Sequence, residues 1–191
     1  MPGPDLGLAL LTIARSAIGE RLGLTRFGEQ GHAALQQPSA TFVTLKRAGE
    51  LRGCVGSLQA TRPLSVDVHE NAIAAAFRDP RFAPLAASEF EAISVEVSLL
   101  STGERIDVAN EVDLAARLRP GVDGLILEYG CCRATFLPQV WETLADPREF
   151  VAALKYKAGL PEDFWNASVT VSRYGVTRWA ERDFASCGAR R

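Results

Sequence analysis

The sequence predicts an α+β fold, a mostly antiparallel sheet flanked by helices. Residues 93–99 alternate strictly: Ile93, Val95, Val97 and Leu99 against Ser94, Glu96 and Ser98. That is the period of a strand with one buried and one polar face. Two strand-like runs, "TFVTLKR" and "LRGCVGSLQA", are separated only by the turn "AGE", so an antiparallel hairpin is the simplest pairing. Helical segments interrupt the strands in irregular order, which favours α+β over a parallel α/β sheet.

In chain order, the first helix starts near Asp5, which can cap it, and ends near Gly19 or Gly23. Leu6, Leu10, Ile13 and Ala17 recur at helical spacing. This apolar run has no basic residue ahead of it and is too short to cross a bilayer, so it reads as an amphipathic helix and not as a signal peptide or a membrane span. "GEQGHAALQQPSA" reads as a loop, and the hairpin follows. In "TRPLSVDVHENAIAAAFR", Pro63 suits the first turn of a helix, with Thr61 or Arg62 near the cap. Val66, Ile73 and Phe77 form one apolar face and Leu64, Val68, Ala72 and Ala75 another, the mark of a central helix. Two prolines in "DPRFAPLAASEF" end it, before the alternating strand at 92–100.

Asn110 can cap a short helix through Leu118. "LILEYG" and "CCRATFLP" read as a second hairpin around Gly130. "PQVWETL" and "PREFVAALKYKAG" read as two proline-led helices, with Gly159 in the stop position after the second. Residues 167–181 alternate again and read as one last strand. Internal repeats and low-complexity tracts are absent from the sequence.

Composition narrows the function classes. The 191 residues are 47% hydrophobic and 23% charged, which is enough to bury a core. With 21 basic and 23 acidic side chains the net charge is −2, so the electrostatic footprint of a nucleic-acid binder is missing. The four cysteines, Cys54, Cys131, Cys132 and Cys187, show neither a disulfide framework nor zinc-ligand spacing. Reduced thiols in a cytoplasmic protein are the expectation, with no cofactor and no metal. Cys131 and Cys132 read as structural.

The candidate site is "GELRGCVGSLQA". Gly53 and Gly56 sit inside a strand, where glycine marks a bulge or the close approach of a ligand or another backbone. Three readings stand for Cys54 between them. It is a small buried hydrophobe, or a nucleophile favoured by nearby Arg52, or a bystander to backbone N–H groups that receive an anion together with Arg52. The motif is not a phosphate loop, because it lacks the Gly-Lys-Ser/Thr ending. A nucleophilic cysteine wants a base. His32 falls in the loop. His69 lies near the Val66–Ile73–Phe77 face of the helix after the motif and is either a satisfied core residue or that base. Glu96 is either part of a solvated face or a carboxylate lining a cleft with Arg52. Arg81 either fixes its turn through Asp79 or supplies a second cation for an anionic ligand.

Five stretches, "TFVTLKRAGELRGCVGSL", "AIAAAFRDPRFAPL", "ISVEVSLL", "GVDGLILEYGCCRATFLPQVWE" and "FVAALKYKAGLP", together resemble the AMMECR1 domain family in its order, from about residue 40 to 180. The core "LRGC-hydrophobic-G" carries over as Leu51, Arg52, Gly53, Cys54, Val55 and Gly56. Ser57 stands where the family often has threonine, and keeps the hydroxyl. The resemblance implies one domain over residues 1–185, built as a larger α+β part with a smaller, interleaved second subdomain. It implies membership of the AmmeMemoRadiSam system, whose name joins the family to a Memo-like protein and a radical SAM protein, and no established reaction. Two functions follow as expectations. One is an enzyme or enzyme component of a cytoplasmic modification pathway. Cys54 would react, His69 and Glu96 would transfer protons, and Arg52, Gly53, Gly56, Ser57 and Arg81 would bind a small anionic ligand. The other is a non-catalytic adaptor for a Memo-like or radical SAM partner. Neither involves nucleic acid or a membrane.

Overall fold

The computed structural model describes residues 2–24 and 31–185; Cys187 lies outside them. In chain order the elements are α1 (Pro4–Arg21), β1 (Pro38–Ser39), β2 (Thr41–Arg47), β3 (Glu50–Gly56), β4 (Arg62–Pro63), α2 (Leu64–Phe77), β5 (Ile93–Leu100), β6 (Glu104–Arg105), α3 (Glu111–Arg117), β7 (Gly124–Tyr129), β8 (Cys132–Phe136), α4 (Pro147–Lys157), β9 (Thr170–Tyr174), β10 (Val176–Ala180) and α5 (Glu181–Ala185). Short 3-10 turns occupy Ala33–Gln36, Ala87–Ala92 and Pro138–Glu142. The chain divides into two units, residues 1–100 with 177–191, and residues 101–176.

The first unit is a four-stranded sheet in the order β10-β5-β2-β3, with β2 antiparallel to both β3 and β5. One face is apolar. Val43 and Leu45 of β2 and Val95 and Val97 of β5 are fully buried in a cluster with Leu10 and Ala14 of α1 and Val68, Ala72 and Ala75 of α2. Burying a Val or Leu side chain stabilises by about 1.5–3 kcal/mol, so this layer is the main source of the unit's stability. α1 begins at a proline with Gly3 at the cap, and Asp5 sits in the first turn, where its charge opposes the helix dipole's positive end. In α2, Pro63 itself holds the cap position. His32 is ordered: its Nδ1 accepts from the Ala34 amide at 3.1 Å and caps the Ala33–Gln36 turn.

The second unit is a four-stranded antiparallel sheet in the order β6-β9-β7-β8, covered by α3 and α4. Asn110 caps α3 and Asp146 caps α4, each through its side chain. Gly130 turns the β7–β8 hairpin with φ +58°. Trp141 stacks on Phe150 at 3.8 Å between ring centres. Lys155 is 1% exposed, a position tolerated because it donates to Glu111 at 2.7 Å and to the Glu162 and Phe164 carbonyls.

The first helix is capped at Gly3 and not at Asp5, the second at Pro63 and not at Thr61 or Arg62, and two elements also differ from expectation. "PQVWETL" forms only a 3-10 turn. The run 167–181 is two strands: the chain leaves β9 of the second sheet at Tyr174 and enters β10 of the first at Val176. Alternation continues through the break, so the pattern alone reads as one strand. No helix among the described residues is long and apolar enough to cross a membrane.

Candidate functional site

β3 assigns a separate task to each residue of the motif. Gly53 pairs with Leu45 and Leu51 with Lys46, which leaves Arg52 as the extra residue of a bulge. A bulge re-aims a side chain. Here it turns Arg52 toward Glu89, with Nε to Oε1 and Nη2 to Oε2 both at 3.0 Å. Arg47 joins at 3.1 Å and the Ala86 amide donates at 3.0 Å. The Arg52 fork, then the Ala86 amide, hold the Glu89 carboxyl down at about 2.

Gly53 faces α2. A Cβ there would lie 2.1 Å from the Ala75 carbonyl oxygen, so only glycine lets the helix come this close. Gly56 lies beneath Phe42, whose ring a Cβ would meet at 2.3 Å. Both close approaches are therefore to other parts of the protein. Ser57 donates its hydroxyl to Asp67 and its amide to the Thr41 carbonyl at 2.9 Å.

Side chains alternate along a strand, so Cys54, next to Gly53, faces away from α2. Its Sγ is 3.3 Å from the Thr44 hydroxyl and is half-buried. Its backbone is clamped. The amide donates to Asp79 at 2.9 Å, and Arg81 donates to the carbonyl at 3.2 Å. Arg81 also grips Asp79 through Nε at 3.0 Å and Nη2 at 2.7 Å. Arg81, with help from the Cys54 amide, holds the Asp79 carboxyl well below the usual carboxylate range. Phe82 lies between the two guanidiniums, 5.9 Å from Arg52 and 5.5 Å from Arg81. Arg81 thus fixes its turn and, through it, the strand that carries the thiol.

The register extends the row. Thr44 pairs with Cys54 on one side and with Glu96 on the other, which places Cys54, Thr44 and Glu96 side by side on the polar face of β3, β2 and β5. Glu96 is not solvated as an outward strand residue would be; it is 4% exposed. Lys46 donates to it at 2.9 Å, and Arg178 and Arg182 stand at 3.5 and 3.7 Å. The cations of Glu96 are these three, while Arg52 belongs to Glu89. Glu181 anchors the start of α5, and hence Arg182, by accepting from the Val95 amide at 2.8 Å and from Arg15.

His69 is not brought to Cys54. It sits on α2, on the opposite side of the sheet, with its side chain 46% exposed and Nδ1 3.5 Å from Glu70. α2 instead contributes fully buried Asp67, which accepts from the Thr41 amide at 2.8 Å, the Thr41 hydroxyl at 2.6 Å, Arg62 at 2.8 Å and Asn71 at 3.0 Å. Sequence reasoning missed Asp67, Asn71, Glu89, Lys46, Arg178 and Arg182. Strand register, once known, points to Lys46, which lies two residues from Thr44 on the same face. Among the described residues no group of three His, Cys, Asp or Glu side chains could hold a metal ion.

With this geometry, comparison with known proteins is direct. The AMMECR1 family model matches residues 11–179. The chain belongs to the AMMECR1 family. An AMMECR1 relative from Methanothermobacter thermautotrophicus is 41% identical, over 89% of this chain and 91% of its own length. One from Sulfurisphaera tokodaii is 38% identical, over 89% of this chain and 80% of its own. The crystal structure of an uncharacterised protein from Pyrococcus horikoshii is similar at TM-score 0.75 and 33% identity, covering 92% of this chain and 91% of that one. The α+β architecture is therefore shared with a solved structure.

Proposed function

We propose that this AMMECR1 protein is an enzyme, or the substrate-holding component of one, in a cytoplasmic modification pathway, with Cys54 as its reactive group. The observation that supports this is the placement of the thiol. Gly53 takes up the helix contact, Asp79 and Arg81 clamp the backbone, and the sulfur is presented on the polar face beside Thr44 and in line with Glu96. Thr44 is the group within hydrogen-bond reach of the sulfur; Glu96, two strands away, and His69, across the sheet, are not. Arg52, held by both oxygens of Glu89 and 14% exposed, is not free to meet an anionic substrate.

Relative thiol reactivity tests the reading. Cys131 is exposed and Cys54 half-buried. On accessibility alone iodoacetamide modifies Cys131 first. A reactive Cys54 is modified faster, as read by peptide mass spectrometry, and Cys54→Ser abolishes pathway activity. A Cys54 that lags behind Cys131, in a protein whose Cys54→Ser variant keeps full activity, sinks the proposal.

One observation favours a second reading. Arg52, Gly53 and Gly56 are all engaged in internal contacts, as expected of a framework motif in an adaptor for a Memo-like or radical SAM protein. That reading requires Cys54→Ala to leave partner binding intact.

A further inference from the structure

We infer that Lys46, Arg178 and Arg182 form a binding site for the oxyanion group, phosphate or carboxylate, of a small substrate, seated on the polar face two strands from Cys54. The orientation of that substrate rests on the reading of Cys54 as the reactive group; the anion site itself does not.

Three cations converge on one carboxylate. Lys46, hydrogen-bonded at 2.9 Å, already neutralises Glu96. Arg178 at 3.5 Å and Arg182 at 3.7 Å add two positive charges at ion-pair distance only. Among the described residues Arg182 has one other acidic contact, Asp183 at 3.9 Å, whose side chain is 55% exposed. Even with Asp183 counted, three cations face two carboxylates, which leaves a positive charge that an anion would neutralise.

The Glu96 side chain is 5% exposed, whereas Lys46, Arg178 and Arg182 are 27%, 50% and 66% exposed. The carboxylate is thus the organiser beneath, and the cationic heads form a rim that reaches solvent. Guanidinium groups present planar forks suited to phosphate and carboxylate, and here they keep donors beyond their contacts with Glu96.

β10, β2 and α5 each deliver one cation around β5. The Glu181 anchor on the Val95 amide fixes the start of α5 beside Glu96. Neighbouring strands lie about 4.8 Å apart, so the row from Glu96 through Thr44 to Cys54 spans roughly 10 Å. The substrate is therefore one that carries its charged group at one end and presents its reacting atom, roughly that far away, to the thiol.

Two measurements test the site. Iodoacetate and iodoacetamide differ in charge and share the same displacement of iodide by a thiol. The ratio of their rates at the Cys54 peptide, divided by the same ratio at Cys131, should exceed one by about fivefold at low salt and collapse toward one at high salt. In the double variant Arg178→Gln, Arg182→Gln it should fall to about one, and Arg178→Lys should restore most of it. Independently, inorganic phosphate and acetate are titrated while thermal unfolding is followed. One or both should raise the midpoint of the native protein and leave the double variant unmoved, and the stronger of the two names the oxyanion. A normalised ratio of one, with no midpoint shift from either anion, overturns the site even if Cys54 alkylates quickly. Oxyanion binding with a Cys54 inert to both reagents upholds the site and removes the reactive-thiol reading instead.

Discussion

The two faces of the first sheet are built from alternate residues of the same strands, and they obey different rules. On the helix side Val43, Leu45, Val95 and Val97 are fully buried, and what matters is fit: Gly53 has no side chain because the Ala75 carbonyl occupies the space. On the other side Cys54, Thr44, Lys46 and Glu96 occupy the intervening positions, and what matters is charge and hydrogen bonding. The contrast teaches that the glycine and the cysteine of the motif answer to different neighbours, although they adjoin in sequence.

Substitutions can break each side separately. The largest effect is expected from Gly53→Ala. A methyl group 2.1 Å from a backbone oxygen forces α2 off the sheet, at a cost of about 4 kcal/mol in denaturant unfolding. Asp67→Ala should come next, at about 3 kcal/mol, since it strands Arg62 and the Thr41 amide around a fully buried site. Both should leave the intrinsic chemistry of Cys54 unchanged in whatever fraction remains folded.

Glu89→Gln should cost ~2 kcal/mol, because the Arg52 side chain, 14% exposed, loses its charged partner. It should also change the pH dependence. The Glu89 carboxyl is lowered from 4.5 to about 2 on folding, so its contribution is complete above about pH 4.5 and is lost as pH falls toward 2. Between those values the stability of the variant should decline less steeply with acid than that of the native protein. A parallel decline in both would mean that the pair contributes nothing. The smallest effect on stability belongs to Cys54→Ala, about 1 kcal/mol or less, as expected for a half-buried side chain on the polar face. A loss of several kcal/mol would assign Cys54 to the core and erase the contrast between the faces.

Local signals were legible in the sequence, and distant pairings were not. The β2–β3 hairpin, the strand at 93–100, the Asn110 cap and the turn at Gly130 each depend on neighbours a few residues apart, and each stands in the structure. The Asp79–Arg81 contact was legible for the same reason. Its reach to the Cys54 amide was not, because it crosses 25 residues. Arg52 to Glu89 spans 37 residues and Lys46 to Glu96 spans 50. Ion pairs of that kind leave no periodicity behind. A bulge is also silent in sequence: Gly53 drew attention to the strand, yet the extra residue is Arg52.

The split of the last alternating run at Gly175 has a consequence for how the molecule is made. β10 lies beside β5, yet residues 101–175 are synthesised between them. A nascent chain therefore carries Glu96 with Lys46 alone among its three cations until the whole second unit has been translated. Arg178 and Arg182 arrive last. Closing so long a loop is entropically slow to nucleate but adds only logarithmically to the cost. The polar face is thus completed last, since two of its three cations follow the whole second unit in the chain.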